Sequence, residues 1–237
     1  MKLLYIFPHP DDESFGPARA ISRHVRQGYE VHLLTLTRGG ATRQREKYGY
    51  SVEEMGKVRY AEMLEVQKVL DLAGMTVLDM PDSGLKEMDP REIEWDIIKE
   101  IEIIQPQIII TYPVHGISGF HDHLVTHAVV KRVFADMKAE GADYLRRLAF
   151  ITLNLDSVRK NTGKFRLHAS PPELIDCIET VNEDDIEKMR NALNCYVTYQ
   201  EVIEKSGVLK SAGNKIFYEF FQEFFAPAVT DIAFRLP

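Results

Sequence analysis

The stretch Phe7-Pro8-His9-Pro10-Asp11-Asp12-Glu13-Ser14 follows an apolar run, Leu3 to Phe7, that reads as a buried strand. It precedes Gly16-Pro17-Ala18-Arg19-Ala20-Ile21, which reads as the opening of a helix. A histidine and two adjacent carboxylates therefore fall on a strand-to-helix turn. In open α/β sheets that turn, at the carboxyl end of a strand, is where ligands bind. Neutral imidazole and carboxylate are zinc ligands, and a carboxylate left free of the metal can act as a general base. A plain helix cap would use Asp12 alone. It would leave His9 and the neighbouring acid without a purpose.

Outward from this turn, strands and helices alternate. Strands are expected at Leu3–Phe7, Val31–Leu36, Val77–Met80 and Gln107–Tyr112. Helices are expected at Ala18–Arg26, Val52–Leu72, Glu92–Ile104 and Val125–Met137. This order implies a doubly wound, mostly parallel α/β sheet of Rossmann-like type, with helices on both faces. The last third changes character. Leu148–Leu153 and Leu174–Val181 read as strands, Asp184–Glu204 as one long helix, and Phe217–Phe225 as an aromatic stripe of core or oligomer contacts. The chain is expected to be one α/β domain over 1–237, with 1–135 carrying the motifs and 145–237 a strand/helix appendage packed on the first sheet.

Composition narrows the class. The 237 residues are 45% hydrophobic and 27% charged, as in an ordinary globular enzyme. A net charge of -7, with no basic run interleaved with aromatics, argues against a nucleic-acid partner. No apolar run is long enough to span a bilayer, and no early stretch resembles a signal peptide. Cys177 and Cys195 form no disulfide framework and lack metal-ligand spacing, so a reducing cytoplasm is the expected location.

A second cluster, Gly116-Ile117-Ser118-Gly119-Phe120-His121-Asp122-His123, comes shortly after the fourth strand. In a doubly wound sheet, the first and fourth strands are neighbours across the switch point, so both clusters face one crevice. The spacing His9-x-x-Asp12 lets two side chains converge on one ion, and His123 would complete a set of two histidines and one aspartate. Three protein ligands leave an open position, as a catalytic zinc requires. Zinc lowers the pKa of a water toward neutrality, and Asp11 is placed to take its proton. His127, one helical turn past His123, competes for the third position, and His115 and His121 are loop candidates. His24, His32 and His168 lie at no strand's carboxyl end and read as structural.

These residues resemble the PIG-L/LmbE-like family of zinc-dependent N-acetylglucosaminyl deacetylases. Pro8 to Glu13 match the family signature Pro-His-Pro-Asp-Asp-Glu, and Gly119 to His123 resemble its Gly-His-Pro-Asp-His. Arg59-x-x-Glu62 and Pro81-Asp82-Ser83-Gly84-Leu85 look like further family elements, and the likeness covers roughly residues 1–135. The resemblance implies zinc on His9, Asp12 and His123, Asp11 as general base, and Asp122 as an electrostatic partner. It also implies contacts to an amino sugar from Asp82 and from Arg43 or Arg59. For these three the competing readings are a turn residue, a solvated loop arginine and an ion pair with Glu62 on the helix face. Phe120 and His121 depart from the usual histidine and proline, so His121 becomes the candidate oxyanion donor from the next position. The implied function is removal of an N-acyl, most simply N-acetyl, group from an amino sugar or glucosamine conjugate. A homo-oligomer is the protein partner the aromatic stripe suggests.

Other readings fit less well. Another small N-acyl amide is an alternative substrate. A receiver-type signalling domain also places paired acids after its first strand but has no use for His9, His121 and His123. A dinucleotide-binding protein needs a Gly-x-Gly-x-x-Gly turn that the first strand lacks.

Overall fold

The computed structural model describes residues 1–236. Its first half runs β1 (Lys2–Phe7), α1 (Pro17–Arg26), β2 (Glu30–Thr37), α2 (Arg45–Tyr48), α3 (Val52–Val69), β3 (Gly74–Met80) and α4 (Pro90–Ile104). It continues through β4 (Ile108–Thr111), α5 (His121–Ala139), β5 (Arg147–Thr152) and α6 (Leu155–Arg159). The last part holds β6 (Cys177–Thr180), α7 (Glu183–Cys195), α8 (Gln200–Ser206), α9 (Val208–Ser211) and β7 (Lys215–Phe220).

The strands form one seven-stranded sheet in the order β3-β2-β1-β4-β5-β7-β6. It is parallel from β3 to β5, while β7 runs antiparallel to both β5 and β6. This is the expected doubly wound α/β architecture. Leu3 to Phe7 are all fully buried, as a strand covered on both faces must be. Their alternation splits them between two layers. Leu3, Tyr5 and Phe7 join the apolar cluster that includes Ile21, Met63 and Met189 of α1, α3 and α7. Leu4 and Ile6 join the other, with Ile97 and Val130 of α4 and α5.

The last third prolongs the edge of this sheet through β5, β7 and β6, while α7 joins α1 and α3 on the face over β1. The aromatic stripe takes the core alternative in β7, which lies between two strands: Tyr218 and Phe220 are buried, and Phe224 is the exposed member at 72%. One expectation needs correction. The long helix expected over 184–204 breaks after Cys195, where Tyr196 leaves helical geometry at φ -82 and ψ 69. In addition, α5 starts at His121, four residues earlier than its apolar period suggests, so the second cluster sits on the first helical turn.

Asp185 of α7 locks that helix to α1. Its carboxylate accepts from Ser22 Oγ (2.9 Å) and Arg26 Nη2 (2.8 Å), and from the Asn182 backbone N–H (3.0 Å) in a capping box. Burial raises the pKa of Asp185, but the bonds from Arg26, Asn182 and Ser22 outweigh it and leave it below 3.8. A lowered folded-state pKa stabilises the fold above the unfolded-state value, and that contribution fades as pH falls through the folded value. Asp185→Asn is therefore expected to lower Tm at pH 7 by about 2–4 °C, the shift for about 1 kcal/mol in a chain of this size. Thermal melts across pH should show the gap to wild type closing below pH 3.8. A gap that stays constant down to full protonation would mean that Asp185 acts by shape alone.

Candidate metal centre

Strands β1 and β4 pair in parallel, Leu3 with Ile108 and Tyr5 with Ile110, so their carboxyl ends open side by side. The turn after β1 carries His9, Asp11 and Asp12, and the loop after β4 leads to His123 on α5. Asp12 Oδ2 lies 3.4 Å from His9 Nδ1, and Asp12 Oδ1 lies 3.4 Å from His123 Nε2. The donor atoms of these three residues all fall within 4.8 Å of one another.

The far side of each ring decides which nitrogen is free. His123 Nδ1 faces the Gly116 carbonyl at 2.9 Å, and His9 Nε2 faces Asp122 Oδ2 at 3.1 Å. A carbonyl or carboxylate only accepts, so these nitrogens carry hydrogen and the opposite lone pairs point toward Asp12. That is the outer-shell arrangement of histidines that bind metals. Two imidazoles and a carboxylate in this geometry fit a divalent transition metal.

The charge balance agrees. Asp11, Asp12, Asp82 and Asp122 line the same end of one cavity of about 780 Å³. Burial opposes a charged His9, yet its hydrogen bonds to Asp12 and Asp122 hold its pKa up at about 10. Burial also raises Asp12, but His123 and His9 more than offset it and hold its carboxyl well below the usual carboxylate range. The acids thus draw a positive charge into the cluster, which a proton or a metal ion can supply. His9, Asp82 and Asp122 form a second close group. Asp122 Oδ2 also accepts from Ser83 N–H (2.8 Å), and Asp82 Oδ2 from Ala41 N–H (2.6 Å), so two loops fix the acids behind His9.

Asp11 has a different environment. Its φ of 82 is left-handed, a conformation that Asp tolerates better than most residues. Its N–H donates to Tyr196 Oη (2.8 Å), which donates in turn to Glu13 Oε1 (2.7 Å). Its carboxylate accepts from Arg59 Nη2 (2.5 Å), whose guanidinium also reaches the Pro10 carbonyl and lies 4.1 Å from the Tyr199 ring centre. Burial raises Asp11 to about 6, with Arg59 pulling the other way.

The remaining site residues divide. Asp82 lines the cavity and its Oδ1 stands 3.4 Å from His9 Nε2. His121 is exposed at the cavity wall on the first turn of α5, next to Phe120, which is 55% exposed and meets His123 edge-on. Arg59, 2% exposed, pairs with Asp11 and not with Glu62, which accepts from Thr198 instead. Arg43 is exposed and lies outside the cavity lining, to which its loop contributes Gly39 and Thr42. His127 donates to the Tyr112 carbonyl at 2.9 Å and stands outside the donor group. His24 is structural, fully buried between Tyr5 and Glu179.

Four residues that the sequence reading missed complete the site: Glu13, Tyr112, Tyr196 and Tyr199. Tyr112 donates to Asp12 Oδ1 at 2.7 Å and stacks on His123 at 4.2 Å. Its place at the end of β4 is a signal that could have found it. Tyr196 and Tyr199 carry no local signal.

The family described as "PIG-L: GlcNAc-PI de-N-acetylase" matches residues 4–134. The chain is 30% identical over 152 residues to the mycothiol S-conjugate amidase of Streptomyces coelicolor, which covers 56% of this chain and 52% of that protein. It is 30% identical over 141 residues to the probable N-acetyl-alpha-D-glucosaminyl L-malate deacetylase 2 of Bacillus subtilis, covering 58% of this chain and 63% of that one. The chain thus spans about half the length of the first relative and less than two thirds of the second. In structure it resembles the 4-carboxy-2-hydroxymuconate hydratase of Pseudomonas putida KT2440, with TM-score 0.67, 13% identity, and 94% and 96% of the two chains covered. That likeness shows a shared fold. The family match takes in more than half of the 237 residues and both clusters of the metal centre, and the chain belongs to the PIG-L family.

Proposed function

We propose that the protein is a zinc-dependent N-deacetylase, a carbon–nitrogen amide hydrolase acting on an amino sugar or glucosamine conjugate. The observation that carries this reading is the convergence of His9, Asp12 and His123 beside a carboxylate, Asp11, that is not one of the three donors. The fold alone does not carry it, because a hydratase shares that fold.

A zinc ion on these donors supplies Lewis acidity, which polarises a carbonyl and brings the pKa of a water toward neutrality. Asp11 takes the proton of the attacking water and returns it to the departing amine. Arg59 and Tyr196 hold Asp11 in place, one through its carboxylate and one through its N–H. Asp122 and Asp82 hold the ring of His9. Asp82 also borders the cavity and can accept from a sugar hydroxyl. His121, at the cavity wall, is the donor for the negative charge that develops on the carbonyl oxygen.

Replacing His9, Asp12 or His123 with alanine should lower the zinc content of purified protein and abolish acetate release from N-acetylglucosamine conjugates. Elemental analysis reads the first effect and an acetate assay the second. Full zinc occupancy in the Asp12→Ala protein would remove Asp12 from the ligand set.

Asp11→Asn keeps the shape of the side chain and loses the proton acceptor. It should retain zinc and lose about 10²–10⁴-fold in kcat, the usual range for removing a general base. Wild-type turnover would refute the assignment.

His121→Ala should retain zinc and lose about 10²-fold or more in kcat, the scale of one oxyanion donor. Phe120→Ala should cost much less. Loss of zinc in the His121 variant would make His121 a ligand; normal turnover would leave it a surface residue.

A further inference from the structure

Phe120 stands at the N-cap of α5, at φ -62 and ψ 138, and its side chain makes no capping hydrogen bond. Elsewhere the chain caps its helices with polar side chains. Ser51, Asp89, Asn154 and Asn182 each accept from a backbone N–H in the first turn of α3, α4, α6 and α7. An oxygen-bearing side chain at an N-cap stabilises a helix, and an apolar one forgoes that gain. The phenyl ring recovers little from burial, because Phe120 is 55% exposed. A residue that serves the fold neither as a cap nor as core marks a place where function overrides a local rule.

The ring stands beside the donors. It lines the cavity, and its centre lies 5.6 Å from that of His123, with 89° between the planes. Tyr112 is also close to His123, but it is 5% exposed and its ring is taken up by His123 at 4.2 Å and Phe7 at 5.0 Å. Phe120 leaves ring surface open to the cavity, next to the polar wall of Asp82, Ser83 and His121. An amide whose carbonyl reaches the donors carries the substituent of its nitrogen only two bonds from the reacting carbon. That substituent therefore lies against the wall beside His123. A pyranose presents hydroxyls around its rim and C–H groups on its faces. The face of an aromatic ring is negative and attracts such weakly positive hydrogens.

We infer that Phe120 is a specificity-determining residue, an aromatic platform against which the face of a sugar ring lies beside the metal centre. It selects an amide whose nitrogen carries a ring over one whose nitrogen carries an open chain. The sugar in this statement rests on the deacetylase reading above. The platform rests on the exposure of Phe120, its missing cap and its place beside His123.

Three measurements on the zinc-loaded protein test it. Acetate release is followed from the methyl glycoside of N-acetylglucosamine and from N-acetylethanolamine, which has the same amide and no ring. Phe120→Ser should raise KM for the glycoside about tenfold more than for N-acetylethanolamine, the scale of one aromatic contact. Phe120→Tyr keeps the ring and should keep the wild-type ratio. In calorimetric titration, the methyl glycoside of glucosamine should bind Phe120→Ser about tenfold more weakly than wild type. Serine also supplies the missing cap, so the same variant should melt about 2–4 °C higher. If both amides weaken equally, Phe120 acts through His123 and the inference falls. It falls as well if the glycoside does not bind the wild type, if its binding survives Phe120→Ser, or if the serine variant melts lower, which would make the ring part of the fold. Glycoside binding that depends on Phe120, with no acetate released from either amide, would keep the platform and sink the deacetylase reading.

Discussion

Asp12 is a carboxylate taken almost wholly out of water, at 5% exposure, and the site is organised around making that tolerable. An uncompensated charge so placed costs several kcal/mol. Here Tyr112 Oη donates to one oxygen and the His9 N–H to the other, at 2.7 and 2.9 Å, while two imidazoles face it. These groups come from the ends of β1 and β4 and from α5. Only the parallel pairing of β1 with β4 brings them together. The groups that make the burial bearable also set Asp12 between two imidazoles, the placement that the proposed metal site requires. Stability and ligand geometry are therefore the same set of contacts, and a change in one is felt in the other.

Around this centre the supporting contacts come from separate parts of the chain. His9 is held through Asp122 and Asp82, which the Ser83 and Ala41 N–H groups orient. Asp11 is held through Arg59 of α3 and Tyr196 beyond α7. The proposed ligand and the proposed base therefore have separate supports. This independence lets one fold host different reactions, since loops can alter the base or the wall while the donors stay.

Much of this was legible in the sequence because it is local. His9, Asp11 and Asp12 lie within four residues, and the strand before them is an unbroken apolar run. His123 required one further step, the topological rule that puts the first and fourth strands side by side. What escaped depends on distant contacts. The helical period over 184–204 gives no hint of a break at Tyr196, whose hydroxyl bonds Glu13, 183 residues away. Arg59 has a nearby acid at i+3, and the local rule favours that helix-face pair. Asp11 holds it instead, while Glu62, itself buried, accepts from the Thr198 N–H and hydroxyl. The aromatics of β7 read equally as core or interface because their burial comes from β5 and β6 on either side, which only the antiparallel addition reveals.

The break at Tyr196 also bears on when the site comes into being. A chain emerging from the ribosome presents its amino-terminal part first. All three proposed metal donors lie within the first 123 residues. The hydroxyl that secures the Asp11 peptide follows 73 residues later than His123. A nascent or truncated chain ending before α7 would hold the donors but not the anchored base. The anchoring of the proposed base is thereby reserved for the finished fold.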